Sequence, residues 1–428
     1  MGRVSIVRPT FFSYNLNVKT PTIAVVSFPG NNCEVESLGA VRRAGMEAIF
    51  FKWNDSRELL KDVDGYFLVG GFAYEDRGRA GMVAARDPLF DFLHEEAQAG
   101  KVIIGNCNGA QVLVESGLIP LDHGLKMSLA RNAVGSQAVG FLNEWVWITP
   151  TAGRDRCATS DWTGTMHLPI AHGEGRFTTK DPEVIQALKA NNQMAFSYCD
   201  ASGKVSDDPI TTPNGSMFAI AGICNPLGNV VALMPHPERT GNGDPYFASM
   251  KRWIETKKAP PPVMQSLPDQ PWKISKRTAK AQELFIGTII TNNEERTVEQ
   301  ALKRKIPSLK LTQLKYLAPA QGTPESILRH LSLFNPNKET AVVRKGGAFF
   351  RWDTVGKKLL PLKDSPLKDS VTLLRRDEPD TGATSLGKGS ETGVCYICRG
   401  ASEEEMTRRE VLEVFANPHA STLERMTA

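Results

Sequence analysis

A cysteine between glycines at the end of an apolar strand is the most chemically telling feature of the sequence. In Gly105-Asn106-Cys107-Asn108-Gly109-Ala110-Gln111, the run Lys101 to Gly105 reads as a strand, and a helix is predicted from Asn108 through Val114. This is the nucleophile-elbow pattern with Cys in place of Ser. A nucleophile held on a sharp, strained turn needs small residues on both sides, because neighbouring backbone passes close by. A helix starting just after Cys107 points its positive end at the sulfur and favours thiolate. The amide of Asn108 is then one candidate oxyanion donor, and Gly71 or Phe72, in an earlier Gly-Gly turn, is the second. A lone cysteine is more usually an inert buried side chain. Two glycines in register at a strand end weigh against that reading.

The second constellation is Met234-Pro235-His236-Pro237-Glu238-Arg239, directly after the apolar run Val230 to Met234. A cysteine nucleophile needs a base to carry its proton, and a histidine base needs a carboxylate to fix its tautomer. His236 and Glu238 stand two apart in a turn stiffened by prolines, so Cys107, His236 and Glu238 are expected to align. Taken alone, the pair is a surface turn with an incidental histidine; beside the elbow it reads as catalytic.

Positioning these groups falls to an alternation of strands and helices. Thr22 to Phe28 is a strand closed by Pro29-Gly30. Asn31 to Gly45 has helical spacing, with Val35, Leu38, Val41 and Ala44 as its stripe. Strands follow at Ile49–Trp53, Gly65–Val69, Lys101–Gly105 and Val230–Met234, and a helix Pro245–Thr256 closes the unit. Such alternation predicts an α/β domain with a mostly parallel sheet flanked by helices. Its bounds are set at 21–257, after an N-terminal extension 1–20. Residues 258–282, with prolines at 260, 261, 262, 268 and 271, read as a linker, and the Lys273–Lys280 charge run as solvated. A smaller α+β domain is predicted over 283–428. It has strands at 283–291, 309–317 and 394–399, helices at 297–305 (capped by Thr297) and 402–415, and a mobile surface loop at 360–392.

The bulk properties narrow the class. The 428 residues exceed what one core supports. Hydrophobic content of 41% and a net charge of +4 give no reason to expect a nucleic-acid ligand. No apolar run approaches the roughly 20 residues that cross a bilayer, and residues 1–20 carry no secretory pattern. Seven scattered cysteines suit reduced thiols, so a cytoplasmic location is expected.

Residues 22–257 resemble the class I (triad) glutamine amidotransferases, and within them the glutaminase subunits of phosphoribosylformylglycinamidine synthase. The resemblance rests on Ser27-Phe28-Pro29-Gly30-Asn31-Asn32-Cys33, Gly70-Gly71-Phe72-Ala73-Tyr74-Glu75-Asp76-Arg77, Arg79-Ala80-Gly81, the elbow, His172-Gly173-Glu174-Gly175-Arg176-Phe177 and the His236 turn. It implies that Cys107 attacks the glutamine side-chain amide, that His236 carries the proton and that Glu238 orients His236. It implies that Gly71, Phe72 and Asn108 line the oxyanion hole, and that Gln111, His172 and Glu174 help hold glutamine. No metal or cofactor is implied in this chain. ATP and Mg²⁺ are used by a separate synthetase (PurL-like) subunit that aminates formylglycinamide ribonucleotide with the ammonia. The chain departs from the family at Asn106, where an apolar residue is usual and where a polar side chain needs a partner. It departs again over Gly135–Glu144, after the family's Arg131-Asn132 pair.

The end of the 402–415 helix, Glu413-Val414-Phe415-Ala416-Asn417-Pro418-His419, resembles the helix end of the small PurS subunit that bridges glutaminase and synthetase. Asn-Pro also stops helices in general. Cys395 and Cys398 have metal-ligand spacing without a second pair, and on a strand they face opposite ways, so they read as structural. Two other functions stay open: a triad amidotransferase serving a different acceptor, and a non-catalytic glutamine-binding module.

Overall fold

The computed structural model describes residues 19–121, 123–256, 267, 272 and 274–427. The expected extension 1–20 and the Pro-rich part of the 258–282 stretch lie mostly outside these residues. Two nine-stranded sheets organise the chain. In the first the order is Glu47–Lys52, Thr22–Ser27, Gly65–Leu68, Val102–Asn106, Val230–Leu233, Ile220–Cys224, Met194–Cys199, Leu142–Pro150, Met166–His172. The first five strands pair in parallel. The last four continue antiparallel. The sequence-consecutive pairs Leu142–Pro150 with Met166–His172, Met194–Cys199 with Ile220–Cys224, and Ile220–Cys224 with Val230–Leu233 are joined without an α-helix, as antiparallel pairs can be. The sheet is therefore mixed rather than mostly parallel.

Alternate residues of the central strands face opposite ways, and both faces are covered. Ala24, Val26, Leu68, Ile103 and Ala232 belong to one buried cluster; Ile23, Val25, Phe67, Ile104 and Val231 belong to the other. The helix Glu34–Arg43 buries Ser37, Ala40 and Val41, while Val35 is 80% exposed. Of the expected stripe, Val41 is buried and Leu38 and Ala44 pack partly buried against the same cluster, so Val35 alone departs from it.

In the second sheet the order is Ser275–Lys276, Ser421–Met426, Val371–Asp377, Glu391–Arg399, Lys310–Ala318, Gln282–Thr288, Glu339–Lys345, Ala348–Asp353, Lys358–Pro361. The expectation of a mobile loop over 360–392 is overturned. Val371–Asp377 is an interior strand with Val371 to Arg375 buried. Its apolar run is short, and the charged and Pro/Gly-rich residues around it obscured the strand pattern. The solvated reading of 273–280 also fails at Arg277. That side chain is buried and ion-paired with Glu283, Glu391 and Glu424. The predicted helix over 297–305 spans Asn293–Lys303, and its cap is Asn292 rather than Thr297. The predicted 402–415 helix is two, Glu403–Thr407 and Arg409–Phe415, broken where Arg408 is extended. Cys395 and Cys398 sit in clusters on opposite faces of their strand.

The two sheet units share a buried boundary. Met82, fully buried, sits in one apolar cluster with Val298, Leu302, Tyr396 and Phe415. Asn417 donates to Glu115 Oε1 at 3.0 Å and to the Met127 carbonyl at 2.9 Å. His419 reaches Thr179 Oγ1 at 3.0 Å and the Leu125 carbonyl at 2.9 Å.

Candidate active site

The strand Val102–Asn106 delivers Cys107 to a sharp turn before the helix Asn108–Ser116. Cys107 has φ 51° and ψ −109°, a region that side-chain-bearing residues avoid and that is retained where surroundings enforce it. Its amide is pinned to the Leu233 carbonyl at 2.8 Å. Gly109 lets the helix cross the sheet closely: a Cβ there would lie 2.0 Å from the Leu68 carbonyl oxygen. The Cys107 sulfur lies 3.7 Å from the Ala171 carbonyl oxygen.

The strand Val230–Leu233 brings up the partner turn beside the elbow. His236 Nδ1 and Glu238 Oε1 are 2.5 Å apart, and both residues are buried. Nδ1–H donating to the carboxylate leaves Nε2 as the proton-exchanging nitrogen, and Nε2 has no hydrogen-bond partner in the protein. Burial disfavours a charged ring, yet the neighbouring Cys107 and Glu238 charges outweigh it and raise His236 well above the ordinary imidazole value. Glu238 is held below its usual value: burial opposes this, while His236 and the Asn106 amide favour the carboxylate. Asn106 therefore has the partner its sequence position demanded. Its Nδ2 donates to Glu238 Oε2 at 3.0 Å, and its Oδ1 accepts from Tyr246 at 3.3 Å.

The oxyanion side is a tight turn against the first strand's loop. Gly71 has φ 130° and bridges Asn31. The Phe72 amide donates to the Gly30 carbonyl at 3.0 Å, so Phe72 is already engaged, whereas Gly71 stands as the turn's remaining candidate donor. The Asn108 side chain ties the turn to the elbow. Its Oδ1 accepts from the Ala73 amide at 2.9 Å, and its Nδ2 donates to Asp76 Oδ1 at 3.1 Å and Gln111 Oε1 at 2.8 Å.

Glu174 and His172 form the opposite wall. Gln111 Nε2 donates to the Glu174 carbonyl, while Glu174 Oε2 accepts from the Ala80 amide at 3.2 Å. Asn132 braces this wall, donating to the His172 carbonyl at 2.8 Å and accepting from the Gly175 amide at 3.0 Å. His172 is buried with neither ring nitrogen hydrogen-bonded in the protein. Burial first, then the His236 charge, push it down to about 3, so it is neutral. All nine residues singled out in the sequence thus lie around one centre, except that the Phe72 amide is engaged elsewhere.

Three neighbours quoted in the sequence motifs gain their contacts only in the fold. Cys33 accepts from Arg239 Nη2 at 3.0 Å and lies against His236. Among the described residues, Cys33, His236 and Glu238 are the one group whose potential ligand atoms all lie within 4.8 Å of one another. The Arg239 guanidinium beside the sulfur and the closed His236–Glu238 pair suit this cluster poorly to a cation. Asn106 and Asn132 were visible as motif members, but nothing in their spacing revealed what they hold.

The fold and the site are those of a glutamine amidotransferase. Residues 20–262 match the family described as CobB/CobQ-like glutamine amidotransferase domain. The chain is 41% identical over 260 residues to the phosphoribosylformylglycinamidine synthase subunit PurQ of Methanothrix thermoacetophila, covering 55% of this chain and 99% of that protein. It is 42% identical over 217 residues to the corresponding PurQ of Thermomicrobium roseum, covering 50% of this chain and 86% of that one. A solved structure of PurLQS from Thermotoga maritima aligns with TM-score 0.44 and 31% identity, over 55% of this chain and 99% of the matched one. The chain belongs to the CobB/CobQ-like glutamine amidotransferase family, in its PurQ branch. Among the described residues no helix is long and apolar enough to cross a membrane.

Proposed function

We propose that this chain is the glutaminase component of a phosphoribosylformylglycinamidine synthase. The observation that carries the reading is the buried His236–Glu238 pair standing beside a cysteine on a left-handed elbow. Cys107 attacks the side-chain amide carbon of glutamine after yielding its proton to His236 Nε2. The carbonyl oxygen becomes an oxyanion facing the amides of Asn108 and Gly71. Collapse breaks the C–N bond, His236 returns its proton to the leaving nitrogen, and ammonia departs from a thioester. Water then attacks the thioester, with His236 taking a proton from it. The proton returns to sulfur and glutamate leaves. Glu238 keeps the imidazole in one tautomer throughout.

The ammonia passes to a separate synthetase subunit that uses ATP and Mg²⁺ to convert formylglycinamide ribonucleotide to the amidine. Support for this acceptor comes from the PurQ relatives, at 41% and 42% identity. The C-terminal unit acts as a PurS-like bridge to the synthetase, a reading supported by Asn417, which is buried against the glutaminase unit at the end of the Arg409–Phe415 helix.

The test is glutamate release from glutamine by the purified chain, with and without synthetase, ATP, Mg²⁺ and formylglycinamide ribonucleotide. Release that rises only with the complete set supports the reading. Release indifferent to formylglycinamide ribonucleotide but stimulated by another synthetase would redirect the ammonia to a different acceptor.

A further inference from the structure

The segment 71–83 connects the oxyanion turn to the C-terminal unit. At its start, Gly71 and Phe72 form the turn. Next come three consecutive left-handed residues that are not glycine: Tyr74, Glu75 and Asp76, with φ of 53°, 57° and 51°. Such conformations are disfavoured for side-chain-bearing residues and persist where both ends of the segment are held. The upstream hold is Asn108, which accepts from the Ala73 amide and donates to Asp76.

The downstream hold comes from the other sheet. Arg375 Nη1 donates to the Gly78 carbonyl at 2.6 Å. Arg77 Nη1 donates to Thr297 Oγ1 at 3.0 Å, and Arg79 donates to the carbonyls of Glu413 and Val414. The segment then ends at Met82, buried in the apolar cluster with Val298 and Leu302. Within this grip Ala80 meets the Glu174 carboxylate, so the same stretch also touches the candidate glutamine wall. Arg375 is buried, and a buried guanidinium is costly unless its charge is answered. Asp377 answers it at 3.3 Å. Asp377 also lies 3.4 Å from Arg131, whose Nε is 3.8 Å from Glu174. The charge chain thus runs from the C-terminal strand to the substrate wall.

We infer that the C-terminal unit completes the glutaminase site in cis, with Arg375 as a positioning residue that fixes the Gly78 carbonyl and, through the left-handed run, the oxyanion turn. This rests on the glutaminase reading above. An oxyanion donor acts mainly on the transition state, so its displacement lowers kcat more than it raises KM.

The experiment uses the full chain with its synthetase and measures glutamate release by Arg375→Ala, Arg375→Lys and Lys180→Ala. Lys180 pairs with Glu378 across an exposed part of the same boundary and does not touch the segment. Arg375→Ala should lower kcat by about tenfold with KM nearly unchanged, Arg375→Lys should recover part of the loss, and Lys180→Ala should match the parent. Alkylation of Cys107 by iodoacetamide should stay at the parental rate in all three. The inference is overturned if folded Arg375→Ala keeps the parental kcat, or if Lys180→Ala loses as much, which would make general docking responsible. Should Arg375→Ala not fold, Arg375→Lys decides alone: a lowered kcat supports the inference and a parental one overturns it. A parent chain that releases no glutamate in the complete mixture would instead sink the glutaminase reading.

Discussion

The side-chain amide of Asn106 donates to Glu238 Oε2 at 3.0 Å, joining the residue before the nucleophile to the last member of the triad. Glu238 thereby has both oxygens occupied, one by His236 and one by Asn106. Replacement by leucine leaves a buried carboxylate oxygen without its donor, a loss of about 1–3 kcal/mol in similar settings. Asn106→Leu should fold and lower kcat by about tenfold. Burial opposes the Glu238 charge and the Asn106 amide favours it, so losing that donor brings the carboxyl up from its lowered value. The acid limb of the pH–rate profile should accordingly move to higher pH. An unmoved acid limb would show that Asn106 merely fills space.

Asp76 offers a pH signature in the left-handed segment. Burial, then the Glu174 charge, push its carboxyl up to about 7, against the Asn108 hydrogen bond that favours ionisation. Between its unfolded value near 4 and 7, the folded chain holds a proton the unfolded chain has released. Stability from this group therefore falls as pH rises through that window. Asp76→Asn removes the effect, so its melting temperature relative to the parent should climb from pH 5 to pH 8. A constant difference would contradict the assignment.

The boundary between the units turns on Glu115. Burial would raise its carboxyl, but Arg79, Arg86 and the Asn417 amide hold it below the usual carboxylate value. Its stabilisation is present above the unfolded carboxylate value and is lost as pH falls through the lowered folded one. Glu115→Gln should destabilise the chain most at neutral pH, with the gap closing on acidification. Asn417→Ala strands acceptors on Glu115 and Met127 and should cost about 1–3 kcal/mol. Chemical denaturation at two pH values measures both. A Glu115→Gln deficit that persists unchanged at acid pH would contradict the ionic account.

The helix behind the nucleophile has no room for one added carbon at Gly109, whose Cβ would meet the Leu68 carbonyl oxygen at 2.0 Å. Gly109→Ala should displace the elbow and abolish glutamate release even where circular dichroism shows retained secondary structure. Release at the parental rate would mean that the helix shifts without moving Cys107.

The sequence disclosed those parts of the site whose chemistry dictates local spacing. Gly105-x-Cys107-x-Gly109 must be contiguous because one turn makes the elbow, and His236-x-Glu238 because one turn carries the pair. The bonds between these pieces were not legible. Asn106 to Glu238 and Arg375 to Gly78 join residues 132 and 297 positions apart, and no local pattern announces such pairings. The strand Val371–Asp377 was missed because its apolar run is brief and its flanks are turn-like. Arg277 was not distinguishable from its solvated neighbours because a buried ion pair has the same local composition as an exposed one.

The most direct measurement is glutamate release from glutamine by Cys107→Ala in the presence of synthetase, ATP, Mg²⁺ and formylglycinamide ribonucleotide, with ammonium chloride supplied in a parallel reaction. No glutamate is expected from the variant, with unimpaired formylglycinamidine ribonucleotide formation from added ammonium. Glutamate release at the parental rate by Cys107→Ala would contradict the role of Cys107 as nucleophile.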